Sequence, residues 1–230
     1  MTTQALDKTA HPTSILEFKN VNFNWPGGHG LSDVSFAVPA GQFVLISGPS
    51  GAGKSTLLRL AVRLEEVAQG AVLLRGTSID TFNPPELRTR IGFVQQTPII
   101  LAGTVRENLL MPFTLQVRKG TPVPDDGVLS DWLEKLALGH VALDTDALTL
   151  SVGQKQRLCL IRSVLPKPDA ICFDEPTSSL DRESRERVEQ VVEDLAAQGI
   201  AILMVSHTSY HPACPYMHVI VADGKVEVLS

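Results

Sequence analysis

Residues 48–55 read Gly-Pro-Ser-Gly-Ala-Gly-Lys-Ser, the run that most restricts how this chain can fold. The spacing is G-x-x-x-x-G-K-S. It follows a continuous apolar stretch, residues 43–46, as expected of a strand buried on both faces. A helix-like segment, residues 55–64, comes after it. Strand, glycine turn and helix in that order form a phosphate cradle: the glycines let backbone N–H groups converge on oxygen, and the helix N-terminus adds positive potential. Gly48, Pro49, Ser50, Gly51, Ala52 and Gly53 would form the cradle, and Lys54 would neutralise the β and γ phosphates of a nucleotide. Ser55 and Thr56 open the helix, with the Ser55 hydroxyl placed to hold Mg²⁺. The other reading, an ordinary strand-to-helix turn, needs the four fixed positions to coincide by chance.

The rest of the chain agrees with an α/β core. Short apolar runs at 72–74, 91–94, 170–173 and 201–205 read as strands, and 182–197 carries apolar residues at helical spacing until Gly199. Buried strands alternating with helices point to a mostly parallel sheet. The alternating start, 16–23, and a strand near 34–38 are antiparallel additions, with a turn-rich stretch over residues 26–30 between them. Asp223-Gly224 joins a closing hairpin of 219–222 and 226–229. Helices are expected at 104–111, 129–138 and 154–165. Pro84-Pro85 and the Pro- and Gly-rich stretch 120–127 read as loops.

Composition closes off other classes. Twenty Lys and Arg against twenty-five Asp and Glu give a net charge of -5, which argues against a protein that coats nucleic acid. Three cysteines without Cys-x-x-Cys spacing make a disulfide scaffold or four-cysteine zinc site improbable. The first twelve residues lack the basic-then-apolar pattern of a secretory signal, and no apolar run approaches the roughly 20 residues that span a bilayer. The expectation is a cytoplasmic chain, or one docked to a membrane through a partner. His211, Cys214 and His218 lie within eight residues and could ligate zinc, but no fourth ligand is evident and the two prolines favour a surface loop.

At 170–175, an apolar strand delivers Asp174 and Glu175 at its tip. Alone, such a pair is usually a solvated loop. Paired with a phosphate cradle, Asp174 suits a water-mediated Mg²⁺ contact and Glu175 suits polarisation of an attacking water.

Further blocks now resemble one family. Leu150-Ser151-Val152-Gly153-Gln154, followed by Lys155-Gln156-Arg157, is similar to the signature sequence of ABC ATPases. Ser178-Ser179-Leu180-Asp181 resembles the D-loop, Val205-Ser206-His207 the switch-histidine segment, and residues 91–96 the glutamine-loop strand. The resemblance runs from about residue 15 to the end, in the family's order. It implies a P-loop NTPase with a RecA-like, mostly parallel core, an antiparallel β layer and a helical sub-domain at about 97–165, all within one nucleotide-binding domain spanning 1–230.

The resemblance also implies roles. Trp25 would stack on adenine, its other reading being a strand-end aromatic that covers the core. Gln96 would contact Mg²⁺ and water and sense the transporter, and His207 would contact phosphate and position water. Ser151, Gly153, Gln154 and Asp181 would reach the nucleotide of a second copy or a related ATPase chain. Ser151 opens a helix whose N-terminal amides call for an anion, and two head-to-tail chains sandwiching two ATP molecules would supply it. Val152 replaces the signature's first glycine and, being β-branched, restricts the backbone. Thr208 stands where many relatives carry aspartate.

The implied function is the ATP-hydrolysing subunit of a membrane transporter, peripheral on the inner face of the membrane, with the transmembrane permease a separate chain and no nucleic acid partner. A soluble DNA-repair or translation-factor ATPase is the alternative. However, only 55 positions separate Gln96 from Ser151, leaving no room for long coiled coils, and only one phosphate loop is present. Residues 105–109 and Met111-Pro112-Phe113 further resemble the ATPase subunits of bacterial iron-efflux systems.

Overall fold

The computed structural model describes residues 14–25, 27, 30–206 and 210–229. Two sheets carry the strands. The first is antiparallel, with β1 (Ser14–Asn24), β2 (Gly30–Pro39), β4 (Gln69–Leu74) and β5 (Thr77–Ser78) in the order β2-β1-β4-β5. The second contains β3 (Phe43–Ser47), β6 (Ile91–Val94), β7 (Ala170–Asp174), β8 (Ala201–Val205), β9 (Tyr216–Ala222) and β10 (Lys225–Leu229). Its order is β10-β9-β3-β8-β7-β6, parallel except for the β9–β10 hairpin.

The central strands are apolar throughout because both of their faces are covered. On β3, Val44 and Ile46 face the antiparallel sheet and α1 (Lys54–Ala61), while Phe43 and Leu45 face the other way. There they meet α5 (Val152–Val164) and α6 (Arg182–Ala197). Strands β7 and β8 divide their residues in the same alternation: Cys172 and Leu203 go to the first core, Phe173 and Met204 to the second. Between β6 and β7 the chain forms α3 (Val105–Leu110) and α4 (Asp126–Lys135).

Two loop expectations are corrected. Pro84-Pro85 opens α2 (Pro84–Arg90), because proline at the first helical positions lacks only an N–H that would have no intrahelical partner. Helix α4 starts three residues before the expected 129, where the Asp125 carboxylate accepts the Val128 N–H at 3.0 Å and caps it. The turn call on 26–30 and the signal-sequence reading fall largely outside the described residues.

An ionic clasp ties the two sheets together. Asp169, just before β7, accepts from Arg75 at the β4–β5 turn (2.7 Å) and from Arg90 at the end of α2 (2.9 Å). Burial works to raise the Asp169 pKa, but the two guanidinium groups overcome it and hold the carboxyl below its usual range. A carboxylate depressed on folding contributes stability above its unfolded pKa and loses it as pH falls through the folded value. Asp169→Asn is therefore expected to melt about 2–4 °C lower at neutral pH, for a loss of about 1 kcal/mol. The difference should vanish once acid has protonated the carboxyl of the parent protein. A gap that persists unchanged in strong acid would exclude the clasp as its cause.

Candidate active site

The parallel strands end at one edge, and their exits hold the candidate side chains, where the rule for open α/β sheets puts ligand sites. β3 runs into the glycine loop. Gly48 has φ 142°, and a Cβ there would lie 1.9 Å from the Val221 carbonyl oxygen, so β9 leaves room only for glycine. Gly53 has φ 107° and caps α1, and a Cβ on it would press on Leu31 and on the Trp25 ring at 3.1 Å. Trp25 packs edge-on to Phe23, with ring centroids 5.9 Å apart, covering the core at the strand end, and its ring also lies beside the loop. Together with Gly30, Pro49, Ser50, Gly51, Ala52, Asp223 and Gly224 it lines a cleft of about 560 Å³. Asp223-Gly224 had been legible only as a hairpin turn. It reaches the cleft because β9 pairs with β3, a long-range fact that local sequence does not carry.

The charged groups are paired across the strand exits. Lys54 is 5% exposed, and its ammonium donates to the Gly48 and Pro49 carbonyls, both at 2.9 Å. Burial pushes its pKa down, and the Glu175 and Asp174 carboxylates pull it back in part. The Ser55 hydroxyl donates to Asp174 Oδ1 at 2.8 Å, joining α1 to β7. Gln96 Nε2 donates to Glu175 Oε2 at 2.9 Å, joining the exit of β6 to that of β7. Glu175 sits at φ 50°, a left-handed conformation that costs a non-glycine residue of order 1–3 kcal/mol. It is pinned there by its own N–H to Val205 O (3.1 Å) and by Ser178, whose N–H and hydroxyl both donate to the Glu175 carbonyl. Thr56 is buried within α1. His207 and Thr208 lie outside the described residues.

The signature stands apart from this group. Ser151 caps α5: its hydroxyl accepts the Gln154 N–H at 3.3 Å, and Gln154 Oε1 accepts the Ser151 N–H at 2.9 Å. This reciprocal box satisfies part of the helix end from within the chain, so the anion expected there is not the sole partner of its amides. Gly153 packs against Leu180, and Val152 is 57% exposed, so the valine points away from the body of the protein. Ser151, Gly153 and Gln154 do not line the cleft at Trp25. Asp181 caps α6 by accepting the Ser184 N–H at 2.9 Å, which, with further bonding to Ser184, lowers its pKa.

Two links the sequence did not reveal connect these parts. Gln156 is buried on α5 and donates to the Gln95 carbonyl at 2.9 Å, tying the signature helix to the Gln96 loop. Arg157 donates to Gly153 O (3.2 Å) and Leu136 O (2.8 Å), bracing the signature turn against the end of α4. In the His/Cys segment, His218 Nε2 pairs with Ser47 Oγ at 2.8 Å. Among the described residues, no group of three or more His, Cys, Asp or Glu side chains could hold a metal ion.

Comparison with known proteins shows the family. The chain belongs to the ABC transporter family, whose model matches residues 31–178. It is an ATP-binding, ATP-hydrolysing subunit of a transporter. It is 34% identical over 194 residues to the probable iron export ATP-binding protein FetA of Escherichia coli, covering 84% of each chain. It is also 34% identical to the glutamine transport ATP-binding protein GlnQ of Bacillus subtilis, covering 84% of this chain and 80% of that one. Among solved structures, a bacterial Atm1-family ABC exporter with ATP bound superposes with a TM-score of 0.80 at 27% identity, over 93% of this chain and 38% of the exporter chain. Among the described residues, no helix is long and apolar enough to cross a membrane.

Proposed function

We propose that residues 1–230 form one nucleotide-binding domain, with the helical segment at about 97–165 as its sub-domain, and that two such chains close head to tail around two ATP molecules. The observation that carries this reading is the split site. One surface holds the phosphate loop, the Ser55–Asp174 pair and the Glu175–Gln96 pair, while Ser151, Gly153 and Gln154 form a separate turn on which Ser151 and Val152 are exposed. A signature turn outside its own chain's cleft is usable by the nucleotide of a partner, and a two-fold pair makes both sites complete.

Within one chain, Trp25 would stack on the base and the amides of residues 48–55 would hold the phosphates. The Lys54 ammonium would exchange its two carbonyl acceptors for phosphate oxygens. Ser55, Asp174 and Gln96 supply hard oxygen donors, which suit Mg²⁺. When bound, that ion neutralises phosphate charge. Glu175, held by its fixed backbone and by Gln96, would orient a water and draw off its proton, with His207 contacting the γ-phosphate. Asp181 begins α6 on the partner-facing side.

The permease is a separate chain. The exposed apolar residues Ile99 and Leu101, just after Gln96, suit contact with it and would place this subunit peripherally on the inner face of the membrane. The nucleotide reading is tested at Trp25. Base–aromatic stacking is worth about 1–3 kcal/mol, so Trp25→Ala should raise the Kd for ATP about 5–150-fold in a calorimetric titration, and Trp25→Phe should restore most of it. Unchanged affinity in Trp25→Ala would remove the base from this wall.

A further inference from the structure

We propose that Asp223 is a specificity-determining residue for the nucleotide, its carboxylate accepting a hydrogen bond from an N–H or O–H donor of the nucleoside; this rests on the stacking of the base on Trp25 proposed above. Among the described residues that line the cleft of about 560 Å³ between Trp25 and the phosphate loop, Asp223 is the one ionisable group. Its side chain is exposed, and its carboxylate pairs with no described residue. The turn that carries it is held from two sides. Asp223 at φ 49° and Gly224 at φ 74° are the left-handed pair of a two-residue hairpin turn. The Ser32 N–H donates to the Gly224 carbonyl at 2.7 Å, and a Cβ on Gly224 would lie 2.1 Å from the Gly30 carbonyl oxygen. On the other side β9 pairs with β3 as far as Ser47 and Ile220, and the Val221 carbonyl lies against Gly48. Backbone contacts to β2 and to the phosphate loop therefore fix where Asp223 stands.

Turn chemistry explains the backbone and leaves the charge unexplained. Asn-Gly suits such a turn as well as Asp-Gly does, so the hairpin has no need of a carboxylate. In a cleft that takes a polyphosphate, a negative group repels the charged part of its ligand. With the phosphates on the amides of residues 48–55, the uncharged nucleoside is the part of ATP left for Asp223 to face. A carboxylate only accepts, and the nucleoside offers donors in two places, the exocyclic amino group of adenine and the sugar hydroxyls. Stacking on Trp25 discriminates little, because every base has a π face. A fixed acceptor beside that wall does discriminate: an analogue without the donor leaves the carboxylate unpaired in the closed cleft.

Asp223→Gly removes the carboxylate at a position whose φ suits glycine, leaving a Gly-Gly turn. Asp223→Asn keeps the turn and one acceptor oxygen but not the charge. Calorimetric titration of the whole chain compares ATP with two analogues: purine riboside triphosphate, which lacks the amino group, and 2′,3′-dideoxy-ATP, which lacks both hydroxyls. The parent should bind one of them about tenfold more weakly than ATP. In Asp223→Gly that gap should fall to within about twofold, and in Asp223→Asn to an intermediate value. The analogue that shows the gap identifies the donor. Gaps that persist unchanged in both variants, or a parent that binds both analogues as tightly as ATP, would overturn the role of Asp223. Should Asp223→Gly melt far lower than the parent, Asp223→Asn decides by the same gap, since it keeps the turn. Trp25→Ala separates this proposal from the reading beneath it. Weakened ATP binding in Trp25→Ala with gaps indifferent to Asp223 removes Asp223 alone, whereas parental affinity in Trp25→Ala removes both.

Discussion

Glu175→Gln is expected to bind ATP as tightly as the parent and to lose about 10²–10⁴-fold in turnover, the range that general-base and positioning effects supply together. Few substitutions would isolate the chemistry so cleanly. The amide oxygen of the new side chain can still accept from Gln96, which donates to Glu175 at 2.9 Å, so the link between β6 and β7 survives. The backbone at φ 50° is held by Val205 and Ser178 through main-chain groups, which the substitution does not touch. What is lost is the proton-accepting oxygen. Single-turnover measurement of γ-phosphate release checks this, and a Glu175→Gln chain with parental kcat would take the base role away from this residue.

The second large effect is in binding. Lys54→Ala should raise the Kd for ATP about 10²–10⁴-fold, since two charge-assisted hydrogen bonds to phosphate are worth about 1.5–3 kcal/mol each. The structure adds a smaller cost to the fold itself. The ammonium is buried and closes the loop by donating to the carbonyls of Gly48 and Pro49. The variant should therefore also lose about 1 kcal/mol of stability, a melting shift of about 2–4 °C. Retained nanomolar or micromolar affinity, matching the parent in a calorimetric titration, would show that the phosphates lie elsewhere.

These residues were readable in the sequence because their chemistry is local. Residues 48–55 state their backbone geometry in glycines and their ligand in Lys54 and Ser55, and 170–175 announces a buried strand ending in carboxylates. The central strands were readable for a related reason: burial on both faces leaves runs such as 201–205 without polar residues. What the sequence withheld depends on partners distant in the chain. Asp223 joins the Trp25 cleft through the pairing of β9 with β3 and the bond from the Ser32 N–H to the Gly224 carbonyl. Gln156 gains meaning from the Gln95 carbonyl, and Glu193 from a tyrosine and two amides beyond β8. Local misreadings had local causes. Pro84-Pro85 breaks a helix interior but starts one well, and Asp125 capped α4 inside a stretch whose glycines and prolines masked it.

The shared nucleotide site is tested most directly by the mass of Glu175→Gln in solution. With hydrolysis blocked, ATP and Mg²⁺ should convert it to a dimer by light scattering, while the same chain without nucleotide remains a monomer. Ser151→Arg in that background should stay monomeric, because a bulky cation would occupy the turn that the partner's phosphate must approach. Val152, exposed on that face, can weaken the pair, so crosslinking across the Ser151 surface accompanies the scattering. ATP-dependent doubling that Ser151→Arg abolishes is the expected result. A mass and crosslinking yield that ignore ATP, or a Ser151→Arg chain that dimerises equally well, would contradict the account.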